Sequence, residues 1–118
     1  MREASLHEAT VAAGILETVE RVAADNCATR ITGIRLQIGE FTCIQPEALR
    51  FCLQALCEGT IAQGAALSIV RIKTAAVCRE CRSEFSVHEI EFRCPTCAST
   101  NIELLSGREL VIESIEVD

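Results

Sequence analysis

Apolar and polar positions along the chain fall into two helical periods and three strand-like runs. Over TVAAGILETVERVAAD (residues 10–25), Val11, Ile15, Val19 and Val22 recur at helical spacing, with Leu16 and Ala23 widening the stripe. Two starts compete for this helix: Thr10 as N-cap, or Ser5-Leu6-His7-Glu8 as an S-x-x-E capping box that draws His7 into the first turn. Asp25-Asn26 is the expected stop. In ITGIRLQIGEF, Ile34, Leu36 and Ile38 alternate with Arg35 and Gln37, the pattern of a half-buried strand ending at Gly39. QPEALRFCLQALCEG predicts a second helix with Pro46 in its first turn and Gly59 beyond its end. Its expected buried stripe is Leu49, Cys52, Leu53 and Leu56. ALSIVRIK (66–73) and ELVIESIEV (109–117) read as further strands.

Between those last two strands lies a segment of different character, residues 75–107. It has little periodicity beyond Phe85/Val87 and Ile90/Phe92, which suggest short strands. The expected order is therefore α-β-α-β, an insert, then a final β. This is an α+β fold: a small three-stranded sheet carrying two helices, plus an inserted zinc-ribbon-like four-cysteine module. The division is 1–74 with 108–118 for the outer domain and 75–107 for the insert.

Composition sharpens this picture. The 118 residues contain no Trp or Tyr and only four Phe, so the core must be aliphatic. A formal net charge of −6 argues against a nucleic-acid partner, which needs clustered Lys and Arg. Early glutamates interrupt every apolar stretch that could become a membrane span or signal segment. A cytoplasmic protein without membrane contact is expected, a monomer or a weak homodimer.

The eight cysteines divide into two groups. Cys78/Cys81 and Cys94/Cys97 form two CxxC turns separated by twelve residues, each able to aim two thiolates at one cation. An insert this short cannot bury enough surface to fold alone, so a structural zinc ion held by four sulfurs is the expected staple. Disulfides fit less well because no signal peptide is expected, and a redox dithiol because neither pair opens a helix in a βαβ setting. Three arginines against five glutamates, with the negative tetrathiolate centre added, would repel phosphate. His88 is expected to be an exposed strand residue, since four sulfurs already complete the tetrahedron. Cys52 and Cys57 read as core-packing thiols, and Cys27 and Cys43 as loop residues. No phosphate loop, nucleophile elbow or acid–base pair appears, so the chain is expected not to be an enzyme.

With these elements in place, the chain resembles the HypA/HybF family of hydrogenase nickel-incorporation proteins. The likeness runs nearly end to end through LHEATVAAGILE, IRLQIGEFTCIQPEALRF, EGTIAQGAALSIV, CRECRSEF, CPTC and GRELVIESIEV. It implies a metallochaperone that delivers Ni²⁺ to the large-subunit precursor of [NiFe]-hydrogenase, working with a HypB-type GTPase and in some organisms serving urease maturation proteins. It implies structural zinc at the four paired cysteines. It also implies nickel at the amino terminus, where the family's second-position histidine and the following glutamate map to His7 and Glu8. Imidazole suits Ni²⁺, which favours nitrogen donors in square-planar geometry.

Here His7 is seventh rather than second, behind Met1-Arg2-Glu3-Ala4-Ser5. Leu6 stands where the family has its initiating Met, and a product begun there would open Met-His-Glu-Ala-Thr. Gln45 also departs from members that carry a carboxylate there. The other readings are a zinc-ribbon interaction or regulatory module that does not handle nickel, and a thiol-redox sensor built on Cys43 or Cys27.

Overall fold

The computed structural model describes residues 2–87 and 92–118, with side chains from Glu8 onward. The first helix, α1, spans Arg2–Asp25. It begins upstream of both expected starts and so carries His7 within it, beyond the first turn in which the capping-box start had placed it. Its buried line is Glu8, Ala12, Ile15, Val19 and Ala23. Val22, placed in the stripe by periodicity, is instead 39% exposed. Successive residues are about 100° apart on a helix, and packing follows Ala23, whose small side chain lets the last turn lie close to its neighbours. The helix ends where expected, with both the backbone amide and the side-chain amide of Asn26 donating to Val22 O.

Strand β1 (Ile31–Gly39) is the centre of the main sheet. It runs parallel to β2 (Ala66–Ile72) and antiparallel to the last strand, β6 (Leu110–Val117). The order is β2-β1-β6, a three-stranded sheet as expected. Ile34, Leu36 and Ile38 point into the core, and Arg35 is exposed. A parallel β1–β2 pair needs a crossover, and α2 (Pro46–Cys57) supplies it.

Helix α2 buries Leu49, Leu53 and Cys57. The expected stripe is corrected at its end: Leu56 is 42% exposed, and Cys57 takes the inner position. Cys52 is half-buried and packs on the core. Leu67, Ile69, Ile112 and Ile115 close the same core from the flanking strands.

The segment between β2 and β6 forms a second sheet. β3 (Ala75–Cys78) is central, with β4 (Glu84–Ser86) and β5 (Ile102–Ser106) antiparallel on either side. Phe85 lies in β4 as expected. Ile90 and His88 lie outside the described residues, and Phe92 belongs to no strand. Sequence periodicity did not anticipate β5, because IELLS shows no clean alternation of apolar and polar residues.

The two sheets meet at a tight crossing. Gly39, at the end of β1, lies against the backbone of Gly107, just past β5. A Cβ on Gly39 would overlap the Gly107 carbonyl and come within 2.7 Å of the Arg108 nitrogen. Gly107 has φ +109°, and a Cβ there would come within 2.5 Å of Thr74 Oγ1. The Phe41 amide donates to Gly107 O across 2.8 Å, and the Gly39 amide to Glu109 O across 2.7 Å. Phe41 also meets Phe92 edge-on at 5.5 Å between ring centroids, with the Arg108 guanidinium 5.6 Å from the Phe41 ring. Backbone bonds and these side-chain contacts thus fix the insert to the end of the central strand.

Candidate metal centres

The two CxxC turns are near copies of each other. Cys78 Sγ accepts from the amides of Glu80 and Cys81, at 3.3 and 3.4 Å, and Cys94 Sγ accepts from the Thr96 amide at 3.3 Å. In each turn the amide four residues on returns to the first cysteine's carbonyl: Arg82 to Cys78 O and Ala98 to Cys94 O, both at 2.8 Å. Each returning residue is left-handed, with φ +68° at Arg82 and +63° at Ala98. Two unrelated side chains accept this uncommon conformation because it turns the chain back so that Cys78 and Cys94 can donate to Ser83 O and Ser99 O, both at 2.9 Å.

These turns bring four sulfurs together that are separated in sequence. Sγ of Cys78 and Cys97 are 3.5 Å apart, those of Cys81 and Cys94 3.6 Å, and all four lie within 4.8 Å of one another. Four sulfurs about 2.3 Å from one tetrahedral ion stand about 3.8 Å apart, so the cluster has the dimensions of a closed zinc site. Cys78 and Cys94 are buried, while Cys81 and Cys97 stand at the surface.

The free thiols are electrostatically unequal. A hydrogen bond with Ser83, first through the hydroxyl and then through the backbone, lowers Cys81 to about 6. The Cys81 amide, outweighing desolvation, also lowers Cys78. At Cys97 the Ser99 amide acts downward, but the neighbouring Cys78 sulfur and desolvation prevail and raise it to about 12. Crowded thiols cannot all ionise without a cation among them, and a divalent ion removes that conflict.

Outside the insert the structure places Glu8 but not the His7 side chain, which lies outside the described residues. Glu8 is 2% exposed. Its Oε2 accepts a 2.6 Å bond from the Gln45 amide, and Gln45 is the N-cap residue of α2. The Gln45 side chain makes no capping bond of its own. A buried carboxylate from α1 therefore supports the start of α2, where the helix dipole and unpaired amides favour negative charge. Sequence reasoning missed this partnership, because nothing in either segment announces the other.

A short 3₁₀ turn, η1 (Glu40–Thr42), joins this corner to the sheet crossing. Thr42 Oγ1 bridges Gly39 O and the Ile44 amide, and Glu40 Oε1 reaches the Thr74 amide at 3.4 Å. Cys43 follows the turn in a left-handed conformation, φ +61°, and Cys27 follows α1 with φ +57°. Both are exposed loop thiols, as expected from the sequence.

With the geometry in hand, likeness to known proteins becomes informative. Residues 6–117 match the family described as "Hydrogenase/urease nickel incorporation, metallochaperone, hypA". The hydrogenase maturation factor HypA of Chlorobium limicola (strain DSM 245 / NBRC 103803 / 6330) is 42% identical over 113 residues, covering 96% of this chain and 97% of that protein. HypA of Dechloromonas aromatica (strain RCB) is 36% identical over 113 residues, covering 96% and 100%. HybF of Escherichia coli O157:H7 is 33% identical, with the same coverage. Among solved structures, the solution structure of the Ni metallochaperone HypA from Helicobacter pylori superposes with a TM-score of 0.67 at 24% identity, covering 93% of this chain and 96% of that one, and so shares the fold. A near full-length family match and relatives of this identity place the chain in the HypA family of hydrogenase and urease nickel-incorporation metallochaperones.

Proposed function

We propose that this chain carries Ni²⁺ to the large-subunit precursor of [NiFe]-hydrogenase, in concert with a HypB-type GTPase and without catalysis of its own. The reading places the protein in the cytoplasm. Residues 1–74 and 108–118 form the nickel-handling part, and residues 75–107 are a zinc-stapled insert. One observation supports it above others: the nickel-incorporation family match runs from Leu6 and so takes in His7 and Glu8.

In this reading His7 supplies the imidazole that a labile nickel site needs. Glu8 Oε2 is committed to the Gln45 amide, which leaves the other carboxylate oxygen to contribute charge beside the metal. A cargo ion must leave again, so few protein donors suit the task. The four cysteines would hold zinc permanently. When bound, that ion supplies folding free energy on the order of 10–16 kcal/mol, as in small zinc fingers. The backbone amides aimed at Cys78 and Cys94 then serve as outer-shell donors to thiolate.

Equilibrium dialysis of Ni²⁺ against the zinc-loaded protein tests the reading. Wild type should take up about one equivalent beyond its zinc, and His7→Ala should lose it. Wild-type nickel binding by His7→Ala would show that the mapped site is wrong.

A further inference from the structure

Helix α2 carries its largest side chain on the wrong side for folding. Phe51 is 74% exposed, the most exposed of the large apolar residues in the described structure. At 100° per residue it lies about 160° around the helix from the mean direction of Leu49, Leu53 and Cys57, which face the core. It is not an isolated apolar residue. Ala55 is exposed, Ala48 and Cys52 are half-buried, and Leu56 is exposed, so an apolar strip continues from Phe51 around one flank of the helix. Single exposed apolar residues need no explanation, but a contiguous strip headed by an aromatic ring does.

Charge surrounds that ring. Glu47 lies four residues before Phe51 and Glu58 seven after, both exposed. Helical spacing puts Glu47 in line with the ring, about 6 Å before it along the axis, and Glu58 is the C-cap residue just past the last turn. The cation on this helix, Arg50, is turned away: its guanidinium donates to Leu67 O at 2.8 Å. An aromatic knob flanked by two carboxylates, with the helix's own cation engaged elsewhere, is complementary to an apolar pocket edged by Lys and Arg.

We propose that α2 is a docking face, with Phe51 as anchor and Glu47 and Glu58 as steering charges, for a partner protein presenting an apolar pocket with a basic rim. The proposal rests on the delivery reading above, because it assigns the surface used when cargo changes hands. Buried aromatic anchors dominate interface energies, while rim charges act on encounter rate and salt dependence. Phe51 contributes little to the core, so its removal separates docking from folding.

The test uses the full-length zinc-loaded chain, with the purified GTPase and the purified hydrogenase large-subunit precursor as probes. Phe51→Ser should weaken binding to one of them roughly tenfold or more, with the thermal midpoint unchanged. Glu47→Gln/Glu58→Gln should slow association and flatten its dependence on salt. Unchanged affinity for both probes in Phe51→Ser, or no binding of either by wild type, overturns the proposal. So does a wild-type dimer that Phe51→Ser dissociates while partner binding persists, since the strip would then be covered by a second copy. Nickel uptake by the same variants keeps the two ideas apart. If Phe51→Ser loses a partner while His7→Ala still binds nickel, the docking face stands and the mapped nickel site falls.

Discussion

Glu8 and Gln45 stand 37 positions apart in sequence, yet the carboxylate of one accepts a 2.6 Å bond from the backbone amide of the other. The bond ties the early turns of α1 to the N-cap residue of α2. It also places a buried negative charge next to His7 in sequence. A residue whose family position suggests a metal ligand thus has structural work as well.

That bond should be visible in stability. Glu8→Ala leaves the Gln45 amide without its acceptor and should cost about 1.5–3 kcal/mol in denaturant unfolding of the zinc-loaded protein, the range for a hydrogen bond to a charged group. Glu8→Gln retains an acceptor oxygen and should cost less. Equal midpoints for wild type and both variants would show that the bond carries no stability.

The crossing of the two sheets predicts a contrast among glycines. Gly107→Ala forces a side chain into a left-handed conformation against Thr74 and should cost about 1–3 kcal/mol. Gly39→Ala drives a methyl group into backbone rather than a movable side chain, so it should be the more damaging change. Gly14→Ala meets nothing within 4 Å and removes a helix-interior glycine. It should stabilise by roughly 0.5–1 kcal/mol. Thermal melts of the three variants under one buffer check the order.

Metal removal should act locally first. The four cysteines lie at the end of β3 and in the segments joining β3 to β4 and β4 to β5, whereas β1 lies in the aliphatic core. Chelation at neutral pH should therefore abolish hydrogen-exchange protection at Ala76 and Val77 while Leu36 and Ile38 keep theirs. Simultaneous loss at both places would mean that the insert and the main sheet unfold as one unit.

Thiol labelling should sort the cysteines outside the cluster. Cys27 and Cys43 are exposed and should react in the native zinc-loaded protein. Cys57 is buried, and desolvation, assisted by the Glu20 carboxylate, raises its thiol above the ordinary range. It should stay unmodified until denaturant is added. Because the raised pKa favours the protonated thiol in the folded state, its contribution to stability is present below the ordinary thiol range and is lost as pH climbs through the raised value. Mass spectrometry after a timed alkylation pulse reads all three sites.

Much of the molecule was legible from its residues because the relevant signals are local. Helical spacing located α1 and α2, alternation located β1, and two CxxC turns defined one four-sulfur cluster, since each turn closes within a few residues. Local signals also have limits. Periodicity put Val22 and Leu56 in the buried stripes together with Ala23, and Cys57 was read as a core thiol, but only Ala23 and Cys57 are buried, because space between elements decides which neighbour on a helix faces inward. Strand β5 lacks alternation and exists because β3 offers it an edge. The Glu8–Gln45 bond, the Gly39–Gly107 crossing and the exposure of Phe51, which no described element covers, were decided only by the tertiary structure. Each depends on where distant segments meet or fail to meet, and one-dimensional patterns do not contain that distance.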